Sequence, residues 1–155
     1  MRGKRAKKRI TPPDPLYKSE ILQRFINKVV GRGKKSIAEG IIYDSFEIIK
    51  KKTGEDPYKV FVKALSNAKP VLEVKSRRVG GSTYQVPVEV KPEKQEAIAM
   101  MWIINFARAR KGIPFAQKLA LELIDAYQNT GSTIKKKEDT HKMAEANRAY
   151  AHYRW

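Results

Sequence analysis

The feature that most constrains the fold is one long apolar run in an otherwise highly charged chain. Eight consecutive nonpolar residues, Ala97 to Ile104, lead into a segment that stays largely apolar as far as Ala107. The run is too short to cross a bilayer, which takes about 18 residues or more. We therefore predict that residues 97–107, preceded by Pro92, form the central helix of a hydrophobic core and that Trp102 lies inside it.

The charge of the chain indicates what it binds. Its 155 residues suit one domain with a sizeable core. They include 33 Lys and Arg against 16 Asp and Glu, which gives a formal net charge of +17. This excess goes well beyond what solubility needs and indicates a polyanionic partner, in the first place a nucleic acid. A hydrophobic content of 41% separates the chain from disordered polycations, so it should fold.

Several classes of chemistry find no support in the sequence. The absence of cysteine excludes disulfides, cysteine zinc sites and thiol nucleophiles. His141 and His152 are not spaced as a metal pair, and no Ser-His-Asp arrangement can be assembled. The basic start runs into TPPDP, where a signal peptide would need an apolar segment. We expect no enzymatic activity, cofactor, metal, small-molecule substrate or membrane, and a cytoplasmic location.

The chain divides into a tail and one domain. Six of the first nine residues are basic, and three prolines that disfavour a helix follow within residues 12–15. We interpret residues 1–18 as a basic, flexible tail, unfolded until it meets its partner, and residues 19–155 as one helical domain.

Apolar residues recur at helical spacing in six segments, which start near residues 19, 36, 56, 92, 114 and 138. This pattern predicts a mostly α fold, a single-domain bundle of about six helices. The last helix, at about 138–152, is weakly apolar, with Met143, Ala146 and Tyr150 as its inward residues, and is expected to dock at an edge.

Between residues 71 and 90 the apolar period changes to two, with Gly80 and Gly81 in the middle. This pattern predicts a β-hairpin arm that protrudes between helices three and four. Lys75, Arg77 and Arg78 near its tip, with Tyr84 opposite, offer phosphate binding and stacking on bases. An ordinary solvated hairpin, with arginines for solubility, stays open as the alternative.

The loop GRGKKS at residues 31–36 invites comparison with a nucleotide-binding loop. It does not match, because Lys28 stands where a glycine is needed and a helix, not a strand, precedes it. We interpret Arg32, Lys34 and Lys35 as contacts to an RNA backbone. A plain basic connection between two helices is the alternative.

Three long segments resemble a known family. They are FINKVVGRGKKSIAEGIIYD from Phe25, VKSRRVGGSTYQVPVEV from Val74 and KKKEDTHKMAEANRAYAHYRW from Lys135. They are similar to the seventh small-subunit ribosomal protein in its bacterial form, and the resemblance extends from Tyr17 to the end. The first sixteen residues depart from the family pattern.

The resemblance implies a structural constituent of the small ribosomal subunit in the cytoplasm. It implies a primary RNA-binding protein that binds the 3′ major domain of the small-subunit rRNA and nucleates assembly of the head. It also implies a place near the exit-site tRNA at the subunit interface, and contacts to the ninth and eleventh small-subunit proteins.

The resemblance also implies two sets of binding residues. The rRNA-facing set comprises Arg2, Lys4, Arg5, Lys7, Lys8 and Arg9 of the tail, Asn27, Lys28, Arg32, Lys34 and Lys35 around the first loop, Lys75, Arg77 and Arg78 of the arm, and Arg108, Arg110 and Lys111. The tRNA-proximal set comprises Arg78, Gly80, Gly81, Tyr84, Arg148, His152, Tyr153, Arg154 and Trp155.

Two other classes of protein are alternatives. A DNA-architectural protein would share the charge and the ribbon arm, but such ribbons carry an apolar or proline wedge at the tip, and this tip is Arg78-Val79-Gly80-Gly81-Ser82. An RNA-modifying enzyme would need a cofactor loop or a catalytic cluster, and the sequence shows neither.

Overall fold

The computed structural model describes residue 3 and residues 9–153. Its elements are α1 (Glu20–Val29), α2 (Lys35–Thr53), α3 (Pro57–Ala68), β1 (Leu72–Val79), β2 (Ser82–Glu89), α4 (Pro92–Ala109), α5 (Phe115–Tyr127), α6 (Gly131–Ala146) and a C-terminal 3₁₀ helix (Arg148–Tyr153). The mostly α fold with a β-hairpin between the third and fourth helices is confirmed. No helix in the described part of the chain is long and apolar enough to span a membrane.

The centre of the core is α5, so the prediction that residues 97–107 form the central helix is wrong. Helix α5 packs against α2, α3, α4 and α6, and Gln117 is its only exposed residue. Helix α4 buries one face through Ile103 and Ile104 but leaves Met101 48% exposed. Trp102 is only partly buried and lies outside the main core cluster. The apolar run therefore predicts a helix correctly, but it does not show which side of that helix faces outward.

The folded body begins before residue 19, which corrects the predicted end of the tail. Asp14 is fully buried, and its carboxylate accepts hydrogen bonds from the Tyr17 amide at 2.9 Å and the Tyr43 hydroxyl at 2.7 Å. Burial raises the pKa of Tyr43, and the hydrogen bond to Asp14 raises it further. The Tyr17 ring stacks on Tyr58 with centroids 5.8 Å apart. Residues 1, 2 and 4–8 of the predicted tail lie outside the described residues.

Helix α6 begins at Gly131, seven residues before the predicted 138, and ends at Ala146 rather than 152. Gly131 has a φ of +86°, and a Cβ there would lie 2.9 Å from the Cβ of Asp125. A glycine is therefore the first residue of the sixth helix. The residues that dock α6 also differ, because Ile134 and Ala144 are buried whereas Met143 and Ala146 are exposed, as is Tyr150 beyond it.

A buried carboxylate anchors the start of α6. Glu122 on α5 is 1% exposed, and its Oε1 accepts hydrogen bonds from the Thr133 amide at 3.2 Å and hydroxyl at 2.6 Å. Its Oε2 accepts from Arg110, just after α4, at 2.6 and 2.9 Å. One side chain thus joins α4, α5 and α6.

The core assignment of α4 generates a paired prediction. Ile103→Asp should unfold the domain, because an unpaired buried charge costs several kcal/mol against a total stability of about 5–15 kcal/mol. Met101→Asp, on the exposed side of the same helix, should change the free energy of unfolding by about 0.5 kcal/mol or less. Urea unfolding followed by far-UV circular dichroism measures both, and an unchanged midpoint for Ile103→Asp would refute the assignment.

Candidate nucleic-acid interface

The β-hairpin is a regular two-stranded arm. Its strands pair antiparallel from Leu72 opposite Glu89 to Val79 opposite Ser82, which leaves Gly80 and Gly81 as a two-residue turn. Both glycines have positive φ, +56° and +89°. A tight hairpin turn of this kind needs that conformation at both central positions, and glycine adopts it without strain. In the strands only Val86 is buried, so most of the arm is open to solvent.

One side of the arm's root is joined to α4. The Lys94 ammonium donates to both carboxylate oxygens of Glu73 at 2.6 Å, and the Gln95 amide donates to the carbonyl of Val90 at 2.8 Å. Burial raises the pKa of Glu73, but the hydrogen bonds and positive charges of Lys94 and Lys75 outweigh it, and the pKa is lowered overall. These contacts set the direction in which the arm leaves the helical body.

The other side of the root is joined to α6. The backbone amide of Val71 donates to Nε2 of His141 at 3.0 Å. Nε2 can accept only if it carries no proton, so the geometry requires the neutral imidazole. Burial lowers the pKa of His141, and the positive charge of Lys137 lowers it further.

The C-terminal 3₁₀ helix packs against the arm near its tip. The Tyr84 ring lies 5.2 Å from the Tyr150 ring and 5.1 Å from the Tyr153 ring, measured between centroids. The Arg77 guanidinium donates to the carbonyl of Tyr153. We call Arg77, Tyr84, Tyr150 and Tyr153 the tip cluster. The two parts of the predicted tRNA-proximal set, separated by more than sixty residues in sequence, therefore lie together.

The loop between α1 and α2 lies beside the end of α4. Arg108 donates to the carbonyl of Val29 at 3.3 Å, and a cleft of about 260 Å³ has Lys34 and Arg108 among its lining residues. Arg32 and Gly33 both have positive φ, which turns the chain sharply between the helices. The structure thus unites two parts of the predicted rRNA-facing set, the loop and the basic end of α4.

Most described members of the two predicted sets are exposed. These are Arg9, Asn27, Lys28, Arg32, Lys34, Lys35, Lys75, Arg78, Gly80, Gly81, Arg108, Lys111, Arg148 and His152. Arg77, Tyr84, Arg110 and Tyr153 are partly buried. Arg2, Lys4, Arg5, Lys7, Lys8, Arg154 and Trp155 lie outside the described residues.

Arg110 is paired with two carboxylates, one of which, that of Glu122, is fully buried. Its guanidinium donates to Glu122 at 2.6 Å and also to Asp125. Burial lowers the pKa of Arg110, but these hydrogen bonds outweigh it and raise the pKa overall. The structure gives Arg110 a role in joining α4 to α5, whereas its predicted contact with RNA stays a prediction.

The sequence pattern did not reveal a basic cleft beside the start of α4. The cleft has a volume of about 710 Å³ and is lined by Arg9, Arg24, Lys69, Pro92, Glu93 and Glu96. Of these, only Arg9 belonged to a predicted set. Arg24 is on α1 and Lys69 follows α3, so no local motif links them and only the packed helices bring them together.

These surfaces define the class of protein. Among the described residues, no group of three or more His, Asp or Glu side chains could hold a metal ion. Exposed cations instead lie on a loop, on a helix end and on a ribbon arm that carries aromatic rings. This combination is typical of a helical protein that binds nucleic acid.

Comparison with known proteins specifies the class. The sequence profile of the family "Ribosomal protein S7p/S5e" matches residues 1–148. The small ribosomal subunit protein uS7 of Thermomicrobium roseum is 61% identical over 148 residues, which cover 96% of this chain and 95% of the relative. The uS7 of Thermotoga maritima is 57% identical over the full length of both chains, and that of Moorella thermoacetica is 58% identical over 97% of each.

The chain therefore belongs to the ribosomal protein S7p/S5e family. The resemblance found in the sequence is confirmed, and it extends through the first sixteen residues as well. This protein is a structural component of the cytoplasmic ribosome and not an enzyme, and RNA binding is general in its family. Both competing classes, a DNA-architectural protein and an RNA-modifying enzyme, are thereby set aside.

The hydrogen bond between Val71 and His141 predicts a dependence of stability on pH. The pKa of His141 is lowered in the folded state, so the bond stabilises the fold above the unfolded pKa of about 6.5 and is lost as pH falls through the lower folded value. Relative to His141→Gln, which keeps an acceptor that does not titrate, the wild type should lose about 1 kcal/mol of unfolding free energy between pH 7.5 and 5.

Urea unfolding of both proteins across this pH range measures the difference between their unfolding free energies. The contribution of carboxylates that titrate in both proteins cancels in this difference. Parallel curves for the two proteins would contradict a neutral His141 at the arm's root.

Proposed function

We propose that this protein is a primary RNA-binding protein of the small ribosomal subunit. It binds the 3′ major domain of the small-subunit rRNA and nucleates assembly of the head. The proposal is supported by family membership, by relatives that are each named small ribosomal subunit protein uS7, and by the net charge of +17.

The observation that carries the proposal is the tip cluster on one face of the arm together with the exposed Arg78 on the opposite face. Tyrosine rings and a guanidinium plane stack on unpaired bases, and the guanidinium can also donate two hydrogen bonds to a base edge or a phosphate. Single-stranded loops and ends of a folded RNA present such bases, whereas duplex DNA keeps its bases stacked. The Gly80-Gly81 turn has no side chain that could be driven between base pairs.

Two rRNA-facing surfaces follow from this proposal. The loop cations Arg32, Lys34 and Lys35 lie beside Arg108 and bind the backbone of one rRNA segment, and the arm with Lys75 and Arg78 reaches a second. Binding two separated segments of one RNA fixes their relative position, which is what a protein that nucleates assembly must do.

The tip cluster also lies near the exit-site tRNA in this proposal. The predicted tRNA-proximal set comes from two separate stretches of sequence, the arm and the C-terminal segment. The contacts of Tyr84 with the C-terminal 3₁₀ helix support this proposal, because they join the two stretches into one surface.

Contacts to the ninth and eleventh small-subunit proteins are proposed from the family resemblance. The exposed side of α3 offers a shallow groove of about 350 Å³, lined by Tyr58, Lys59, Val62, Lys63 and Ser66, in which Val62 is 38% exposed. This groove is more apolar than the loop and arm surfaces and suits a protein partner.

Replacement of Arg78 by lysine tests the arm. Lysine preserves the charge but loses the planar, forked donors, so Arg78→Lys should weaken binding to a transcript of the 3′ major domain by about 1–3 kcal/mol. Binding to an unrelated RNA of equal length should hardly change, because charge alone governs it. Filter binding at matched salt measures both affinities.

Duplex DNA at the same salt is the control for the class of partner. Preference of the wild type for duplex DNA over the transcript would overturn the proposed function. Equal affinity of Arg78→Lys and the wild type for the transcript, with an unchanged circular dichroism spectrum, would reduce the arm to a diffuse contribution of charge.

A further inference from the structure

The cleft beside the start of α4 is lined by three basic residues, Arg9, Arg24 and Lys69, and by two acidic ones, the exposed Glu93 and the partly buried Glu96. The Glu96 carboxylate forms an ion pair with the Arg24 guanidinium, which lies 3.0 Å from Oε2, and accepts a hydrogen bond from the Lys69 ammonium at 3.4 Å through Oε1. We propose that this cleft binds backbone phosphates of the RNA and that Glu96 is its positioning residue. The inference rests on the proposed function and adds a surface to the loop and the arm.

The exposures of the three side chains show how the cleft is layered. The Glu96 side chain is 13% exposed, whereas the side chains of Arg24 and Lys69 are 42% and 35% exposed. The carboxylate therefore lies behind the two cations. Of these three side chains, a phosphate that enters the cleft meets the two cations first, and each of them keeps N–H groups that Glu96 does not use.

Arg24 and Lys69 come from different elements, so their side chains need a common partner to stay together. Long flexible cations that are free to rotate must be ordered when they bind a phosphate, and this ordering weakens binding. Glu96 has already ordered both, one on each oxygen, and it offsets the repulsion between them. The cleft is in this sense pre-organised for a phosphodiester.

Glu96 also has an unfavourable effect, since its negative charge repels a phosphate. This repulsion acts through a partly solvated surface in salt, where the interaction between single charges is small. We expect the pre-organisation of two cations to outweigh it. Removal of this negative charge should therefore weaken binding to a polyanion, whereas net charge alone predicts stronger binding.

The test compares two substitutions that raise the net charge equally. Glu96→Gln keeps the shape of the side chain but can accept from only one of the two cations. Glu47→Gln is the matched control, because Glu47 is exposed on α2 and α2 contributes no residue to the lining of this cleft. The probe is a transcript of the 3′ major domain of the small-subunit rRNA.

Glu96→Gln should bind this transcript about tenfold more weakly than the wild type, the change typical of the loss of one charge-assisted hydrogen bond. Glu47→Gln should bind equally well or slightly better. Glu96→Gln that binds as well as or better than the wild type, with an unchanged melting temperature, would overturn the proposal.

A double-mutant cycle separates positioning from a general effect on the fold. The substitutions Arg24→Ala and Lys69→Ala together should weaken binding and lower the slope of log K against log salt by about 0.7–0.9 for each phosphate that is no longer neutralised. Adding Glu96→Gln to that pair should have no further effect, because there is nothing left to position.

The double-alanine variant also decides the case if Glu96→Gln does not fold. Its two side chains are substantially exposed, so the fold should tolerate their loss. An unchanged affinity and salt slope in this variant would overturn the proposal that the cleft binds phosphates, while leaving the proposed function intact. If the wild type itself fails to bind the transcript, the proposed function fails first.

Discussion

The second half of the fold depends on the hydrogen bonds of one buried carboxylate, that of Glu122. It pairs with Arg110 at the end of α4 and accepts from Thr133 at the start of α6, all from within α5. A buried charge without its partners costs several kcal/mol, so an arrangement of the three helices that separates these groups is disfavoured. Helices α4 and α6 in turn hold the root of the arm through Lys94 and His141. The direction of the arm is therefore linked to a hydrogen-bond network in the core.

The same use of scarce acidic residues recurs across the molecule. A chain with 16 acidic and 33 basic residues cannot neutralise its cations one by one. Three further carboxylates lie where elements meet: Asp14 joins the N-terminal segment to α2, Glu73 joins the arm to α4, and Glu96 joins α1 and the end of α3 to α4. The cations of the first loop and of the arm tip are mostly left exposed. Carboxylates at these joints hold elements together, while the large excess of exposed cations keeps the surface attractive to RNA.

The parts of this structure that could be predicted from sequence are those with local signals. The sequence predicts the hairpin correctly because both of its signals, apolar residues at every second position and the Gly80-Gly81 pair, lie within twenty residues. The start of α6 was missed because Gly131 is required by its packing against Asp125, which sequence spacing does not show. The cleft of Arg24 and Lys69 was missed for the same reason, since a carboxylate on a third element brings them together. Local periodicity therefore predicts the elements, and long-range pairing determines which of the candidate binding residues lie together.

If the proposals above hold, RNA binds the loop, the cleft and the arm rather than the exposed side of α3. Acetylation of lysines followed by mass spectrometry, with and without the 3′ major domain transcript, tests this in one experiment. RNA should protect Lys34, Lys69 and Lys75 and leave Lys59 and Lys63, which are exposed on α3, as reactive as in the free protein. Protection of Lys59 and Lys63 with continued reactivity of the other three would contradict the proposals.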